Sequence, residues 1–149
     1  MAYLLEQPDI STKRGRRDLT LMAVLYDAGA RVQELIDLKV CEVRLAQPAT
    51  ITLTGKGNKK RNVPIMAKTL SLLEGYMAEN HLLKNGRQQS PLFHNSRYQA
   101  FTRPGITYIL DKYFKQAKLS HIDEVFPDRL HPHMLRHYGE RNKMVSDCA

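Results

Sequence analysis

"ATITLTGKGNKKRNVPI", residues 49–65, interrupts a sequence that has helical periodicity on both sides. In residues 49–54 the side chains alternate, with Ile51 and Leu53 facing one way and Thr50, Thr52 and Thr54 the other. That two-residue repeat is the signature of a half-buried strand. Residues 61–65 resume it, Val63 and Ile65 matching in phase. Between them, "GKGNKK" supplies two glycines and an asparagine, residues that tolerate the left-handed backbone of a hairpin turn. An antiparallel hairpin follows. A Walker phosphate loop does not, because that pattern needs Gly, four residues, then Gly-Lys-Ser/Thr.

Outward from the hairpin the period becomes helical. Residues 18–28, "DLTLMAVLYDA", place Leu19, Met22 and Tyr26 on one stripe, widened by Leu21, Val24 and Leu25. Asp18 reads as the N-cap and Gly29 as the stop. Residues 31–39, "RVQELIDLK", form a second short helix with Val32, Leu35, Ile36 and Leu38 as its apolar face. Residues 67–83 carry Leu70, Leu73, Tyr76 and Met77 at helical spacing, "NGRQQSP" (85–91) is a loop, and "PLF" (91–93) is a short extended piece. Pro104 begins a helix bearing Ile106, Ile109, Leu110, Tyr113 and Phe114, and Pro132 begins the last one. The expected fold class is α+β, mainly α-helical with a small antiparallel β-sheet, in a single domain over residues 1–149.

The chain of 149 residues is long enough for one core. Its net charge of +8 is concentrated at Lys13, Arg14, Arg16 and Arg17 and again at Lys56, Lys59, Lys60 and Arg61. Such clusters suit a polyanion, most often nucleic acid, or else a solvated surface. No run of about 18 apolar residues is present to span a membrane, and the N-terminus does not have the pattern of a secretory signal. Cys41 and Cys148 are isolated, which fits a reduced, cytoplasmic setting better than a disulfide framework.

Three separated pieces bear chemistry. In "GARVQEL" (29–35), Arg31 opens a helix where free backbone N–H groups already favour an anion, although it has Glu34 and Asp27 as alternative partners. In "TGKGNKKRNVPI" (54–65), Lys56 rides a turn from which an ammonium can reach a substrate; the alternative is a solvated turn whose lysines discourage edge pairing. In "HPHMLRHY" (131–138), His133 and Arg136 stand three apart on one helical face, a proton carrier beside a phosphate-binding fork. His133 and His137 also have a metal-compatible spacing, with His131 nearby. No glutamate or cysteine completes a familiar ligand set, so no metal is assigned and His131 and His137 read as packing residues. A metal-dependent phosphoesterase built on these histidines is a rival reading.

In this order the three segments "LYDAGARVQELIDLK", "LTGKGNKKRNVPI" and "HPHMLRH" resemble the tyrosine recombinases, the phage integrase family, and "SPLF…FTRPGITYILDKYFKQA" resembles the family's connecting region. The resemblance implies a catalytic domain for site-specific DNA recombination and integration, in which a tyrosine attacks a DNA phosphodiester and forms a 3′-phosphotyrosine link. Carried over, Arg31 and Arg136 clamp the scissile phosphate, Lys56 is the general acid for the departing 5′-oxygen, and His133 handles a proton beside it. Lys59, Lys60 and Arg61 are expected to bind DNA. Glu34 is expected to orient an arginine or cap its helix. Duplex DNA is the implied partner, and no cofactor, neither metal nor nucleotide, is implied.

The end of the chain departs from the family pattern. "YGERNKMVSDCA" follows the His-x-x-Arg segment, and residues 139–149 read as an atypical tail without a core-facing stripe. Tyr138 lies about 200° around a helix from Arg136 and points away from the clamp. The expectation is a truncated catalytic domain that binds DNA phosphate, lacks the nucleophilic tyrosine segment, is inactive in strand cleavage, and self-associates through uncovered apolar surface. A non-catalytic DNA-binding regulator occupying recombination sites is the other reading.

Overall fold

The structure, a computed structural model, describes residues 2–120. Its elements run α1 (Ala2–Leu5), α2 (Lys13–Ala28), α3 (Val32–Ile36), β1 (Val43–Arg44), β2 (Thr50–Thr54), β3 (Lys60–Pro64), α4 (Ala67–Glu79) and α5 (Arg103–Ser120). The three strands form one antiparallel sheet in the order β1-β2-β3. The described part is therefore mainly helical with a small antiparallel sheet, as the periodicity implies.

The centre of the molecule is α2. Leu21, Met22, Val24 and Leu25 are at most 1% exposed, and Ala28 is also buried. The Leu19–Met22–Tyr26 stripe is not the core face, since Leu19 and Tyr26 are only half-buried. A helix covered on nearly every side has no single stripe to read. It packs against α1 and α4, while α5 closes over α1 and α3. Each fully buried aliphatic side chain contributes about 1.5–3 kcal/mol through removal from water.

The start of α2 lies five residues earlier than the apolar pattern suggests. Thr12 is the N-cap, its hydroxyl accepting from the Gly15 N–H at 3.0 Å. Asp18 is not a cap but a buried mid-helix acid, 1% exposed. Gly15 allows the preceding turn to lie against the helix, because a Cβ there would stand 1.9 Å from the Asp9 carbonyl oxygen. The stop at Gly29 is as read: it takes the left-handed conformation, φ 63°.

The hairpin pairs Ile51 with Val63 and Leu53 with Arg61. Ile51 and Leu53 are fully buried, Val63 and Ile65 half-buried. β1, unread in the sequence, adds two residues to the other edge of β2, with Val43 opposite Ile51. α4 ends at Glu79 rather than residue 83, and α3 ends at Ile36 rather than 39. The extended piece at Pro91 bridges back to Lys39.

Candidate functional site

The left-handed turn at Gly29 breaks the path of α2, and two residues later the chain enters α3 with Arg31 as its N-cap (φ −75°, ψ 154°). Arg31 is exposed. Its side chain makes no cap hydrogen bond and no ion pair among the described residues. Its backbone N–H instead donates to Glu34 Oε1 at 2.8 Å. An exposed guanidinium with no ion pair among the described residues is thus available to an oxyanion.

Lys56 is placed by the hairpin. β2 ends at Thr54, and the Gly55 N–H donates to the Lys59 carbonyl at 2.8 Å, closing a five-residue loop. Gly57 and Asn58 both take positive φ, 72° and 58°, inside that loop. Glycine and asparagine are the residues that accept this backbone at least cost. Lys56 opens the turn with an exposed side chain.

Glu34 joins the two pieces. It is 6% exposed, and the same Oε1 that takes the Arg31 N–H accepts from Arg61 Nη2 at 3.1 Å. Arg61 Nη2 also reaches the Gly29 carbonyl at 3.4 Å. On the hairpin side, a Cβ at Gly55 would lie 3.5 Å from Glu34 Oε2, so the carboxylate rests against the strand end that precedes Lys56. One acid therefore ties the helix start to the hairpin, and a charge-assisted bond of this kind contributes about 1.5–3 kcal/mol. The result is a cleft of about 540 Å³ lined by Arg31, Glu34, Gly55, Lys56, Arg103 and Thr107, among others.

Of the residues expected at the site, Arg31 and Lys56 face this shared cleft. Lys59 and Lys60 are exposed and do not line it. Arg61 directs its guanidinium inward, to Glu34 and Gly29. His133 and Arg136, and with them His131, His137 and Tyr138, lie outside the described residues. Arg103 was unread in the sequence. It lines the cleft from the first turn of α5, its Nε donating to Gln33 Oε1 at 2.9 Å. The available signal was its place directly before Pro104, at a helix start. No tyrosine among the described residues lines this cleft, and no cluster of three His, Cys, Asp or Glu side chains occurs among them. Likewise, no described helix is long and apolar enough to cross a membrane.

The cleft's cations, Arg31, Lys56 and Arg103, come from three places that are distant in sequence. The profile of the phage integrase family matches residues 2–142. The chain belongs to the phage integrase family. It is 36% identical over 135 residues to tyrosine recombinase XerD of Yersinia pestis and 39% identical over 137 residues to tyrosine recombinase XerC of Herpetosiphon aurantiacus. Each alignment covers 90% of this chain, but only 43% and 42% of those proteins, so the chain spans less than half their length. Among solved structures it is similar to XerA recombinase (TM-score 0.77, 23% identity, 97% of this chain and 48% of that one), a likeness of fold. It is also similar to XerH site-specific recombinase bound to its palindromic difH substrate in a post-cleavage complex (TM-score 0.72, 26% identity, 93% and 38%).

Proposed function

We propose that this chain takes part in site-specific DNA recombination by holding a DNA phosphodiester between Arg31 and Lys56. The observation that carries this reading is the cleft these two cations share, braced by Glu34. Phosphoryl transfer places developing negative charge on nonbridging oxygens and on the departing oxygen, so a site for it consists of positioned cations. Arg31 offers a forked pair of donors to the nonbridging oxygens. Lys56, on its turn, is the proton donor to the leaving 5′-oxygen. In this reading His133 and Arg136 complete the pocket, and Arg103 adds a third cation from α5. The matched relatives are named tyrosine recombinases, and the XerH structure contains DNA, which supports duplex DNA as the partner.

The test is binding of the full chain to labelled duplex DNA as salt is varied. Arg31→Ala and Lys56→Ala are each expected to lower the steepness of log K against log salt by roughly 0.9, one phosphate contact each. Wild-type steepness in both variants overturns the assignment.

A further inference from the structure

A second basic groove lies on the other flank of α5. Arg103 and Thr107 line the Arg31–Lys56 cleft, whereas Gly105, Tyr108, Ile109 and Lys112 line a different one of about 400 Å³. Its opposite wall is Arg14 and Arg17 of α2, and Asn95 and Ser96 form one end. A smaller cleft of about 300 Å³ shares Arg14, Arg17, Asn95 and Ser96 and extends the groove past Lys13 and Tyr98. The two are continuous.

The groove's charge is one-sided. Its single carboxylate among the described residues, Asp18, already accepts from Arg17 Nη2 at 2.8 Å and from the Tyr113 hydroxyl at 2.6 Å. Arg17 is further held flat, its guanidinium carbon 4.9 Å above the Phe101 ring. Arg14 is exposed and has neither a hydrogen bond nor an ion pair among the described residues. Lys13, Arg14, Arg16 and Arg17 sit in the first five residues of α2, with no acidic residue in its first turn. Cations at the positive end of a helix oppose its dipole by about 0.3–1 kcal/mol each at low salt. Arg16 is compensated by Glu79, but Arg14 is not. Arg17 has Asp18 and Lys13 lies near Glu79, so among the described residues it is Arg14 that is left available to an external anion.

The end wall is rigid. Asn95 Oδ1 accepts from the Arg97 and Gln99 N–H groups at 2.8 and 3.1 Å, fixing the turn that carries Ser96. Tyr98 and Tyr108 stand at the rim, 70% and 72% exposed. Amphipathic rings beside cations suit a sugar-phosphate chain.

We propose that this groove is a second binding track for a DNA phosphodiester backbone, contacted by Arg14, Arg17 and Lys112 and separated from the Arg31–Lys56 cleft by the first turns of α5. The inference rests on the DNA-binding function proposed above and adds a location to it. The track raises affinity without touching the reacting phosphate, so its residues are binding groups and not catalytic ones.

The full chain with Arg14→Gln and Lys112→Gln together tests it, against labelled duplex DNA and against one of its single strands. Lys112 Nζ lies 5.1 Å from the Tyr113 ring centroid, but neither Arg14 nor Lys112 hydrogen-bonds to Asp18, so the fold is expected to be retained, which circular dichroism checks. The slope of log K against log salt is expected to fall by roughly 1.8 on duplex, or roughly 1.4 if the bound backbone is single-stranded. A control pair with the same charge loss, Lys68→Gln and Lys84→Gln, lies outside both grooves and is expected to leave the slope unchanged. An unchanged slope in the groove variant, or an equal fall in the control, overturns the second track. If Arg31→Ala lowers the slope while the groove variant does not, the track alone fails. If the wild-type chain binds neither probe, both proposals fall.

Discussion

The two basic grooves flanking α5 are built on the same plan with different materials. In each, a buried carboxylate holds one arginine, and a neighbouring one has no ion pair among the described residues. Glu34 holds Arg61, with Arg31 the neighbour, and Asp18 holds Arg17, with Arg14 the neighbour. The difference lies in what else the carboxylate carries. Asp18 is anchored inside the helical core by the Tyr113 hydroxyl, 95 residues away in sequence. Glu34 ties a helix start to an exposed hairpin loop. The Asp18 groove is thus a property of the core, whereas the Glu34 cleft depends on a few hydrogen bonds between small elements near the surface.

The largest effect expected from breaking this symmetry is at Asp18. Asp18→Ala strands a buried phenol and a nearly buried guanidinium, and the urea midpoint is expected to report a loss of about 3 kcal/mol. Glu34→Ala removes a buried carboxylate whose arginine partner is exposed, and the same titration is expected to show a smaller loss, about 2 kcal/mol. If the two losses come out reversed, the hairpin and not the core is the stiffer support. DNA affinity sharpens the contrast, because Glu34→Ala is expected to weaken binding even under conditions where the chain remains folded.

The smallest effect is a pH dependence. Burial and the hydrogen bond to Asp18 push the Tyr113 phenol above its ordinary value of 10.0. The unfolded chain therefore loses this proton first, so the contribution is complete below pH 10 and declines as pH rises beyond it. Thermal melts of wild type and Tyr113→Phe are expected to diverge less at high pH than at neutral pH. A wild-type chain equally stable on both sides of pH 10 contradicts the coupling.

Much of this was legible in the sequence, for identifiable reasons. The 49–65 hairpin was visible because alternation and turn residues agree, and α5 because five apolar residues recur at helical spacing behind a proline. The start of α2 was hidden. "KRGRR" has no apolar repeat, and Gly15 reads as a breaker although it is there to let Asp9 approach. Asp18 looked like a cap because aspartate favours caps, and only its partner on α5 reveals otherwise. The joining of Glu34 to Arg61 spans 27 residues, and no local pattern encodes it. β1 is two residues long, too short to show any period.

The closed loop of the hairpin has a further consequence. With Gly57 and Asn58 in left-handed backbone and Gly55 bonded across to Lys59, the tip is a closed turn and not an open tether. The ammonium of Lys56 then searches only the volume swept by its own four-carbon arm. In the role proposed for Lys56, contact with an oxygen orders side-chain torsions more than main chain, which lowers the entropic cost of that contact.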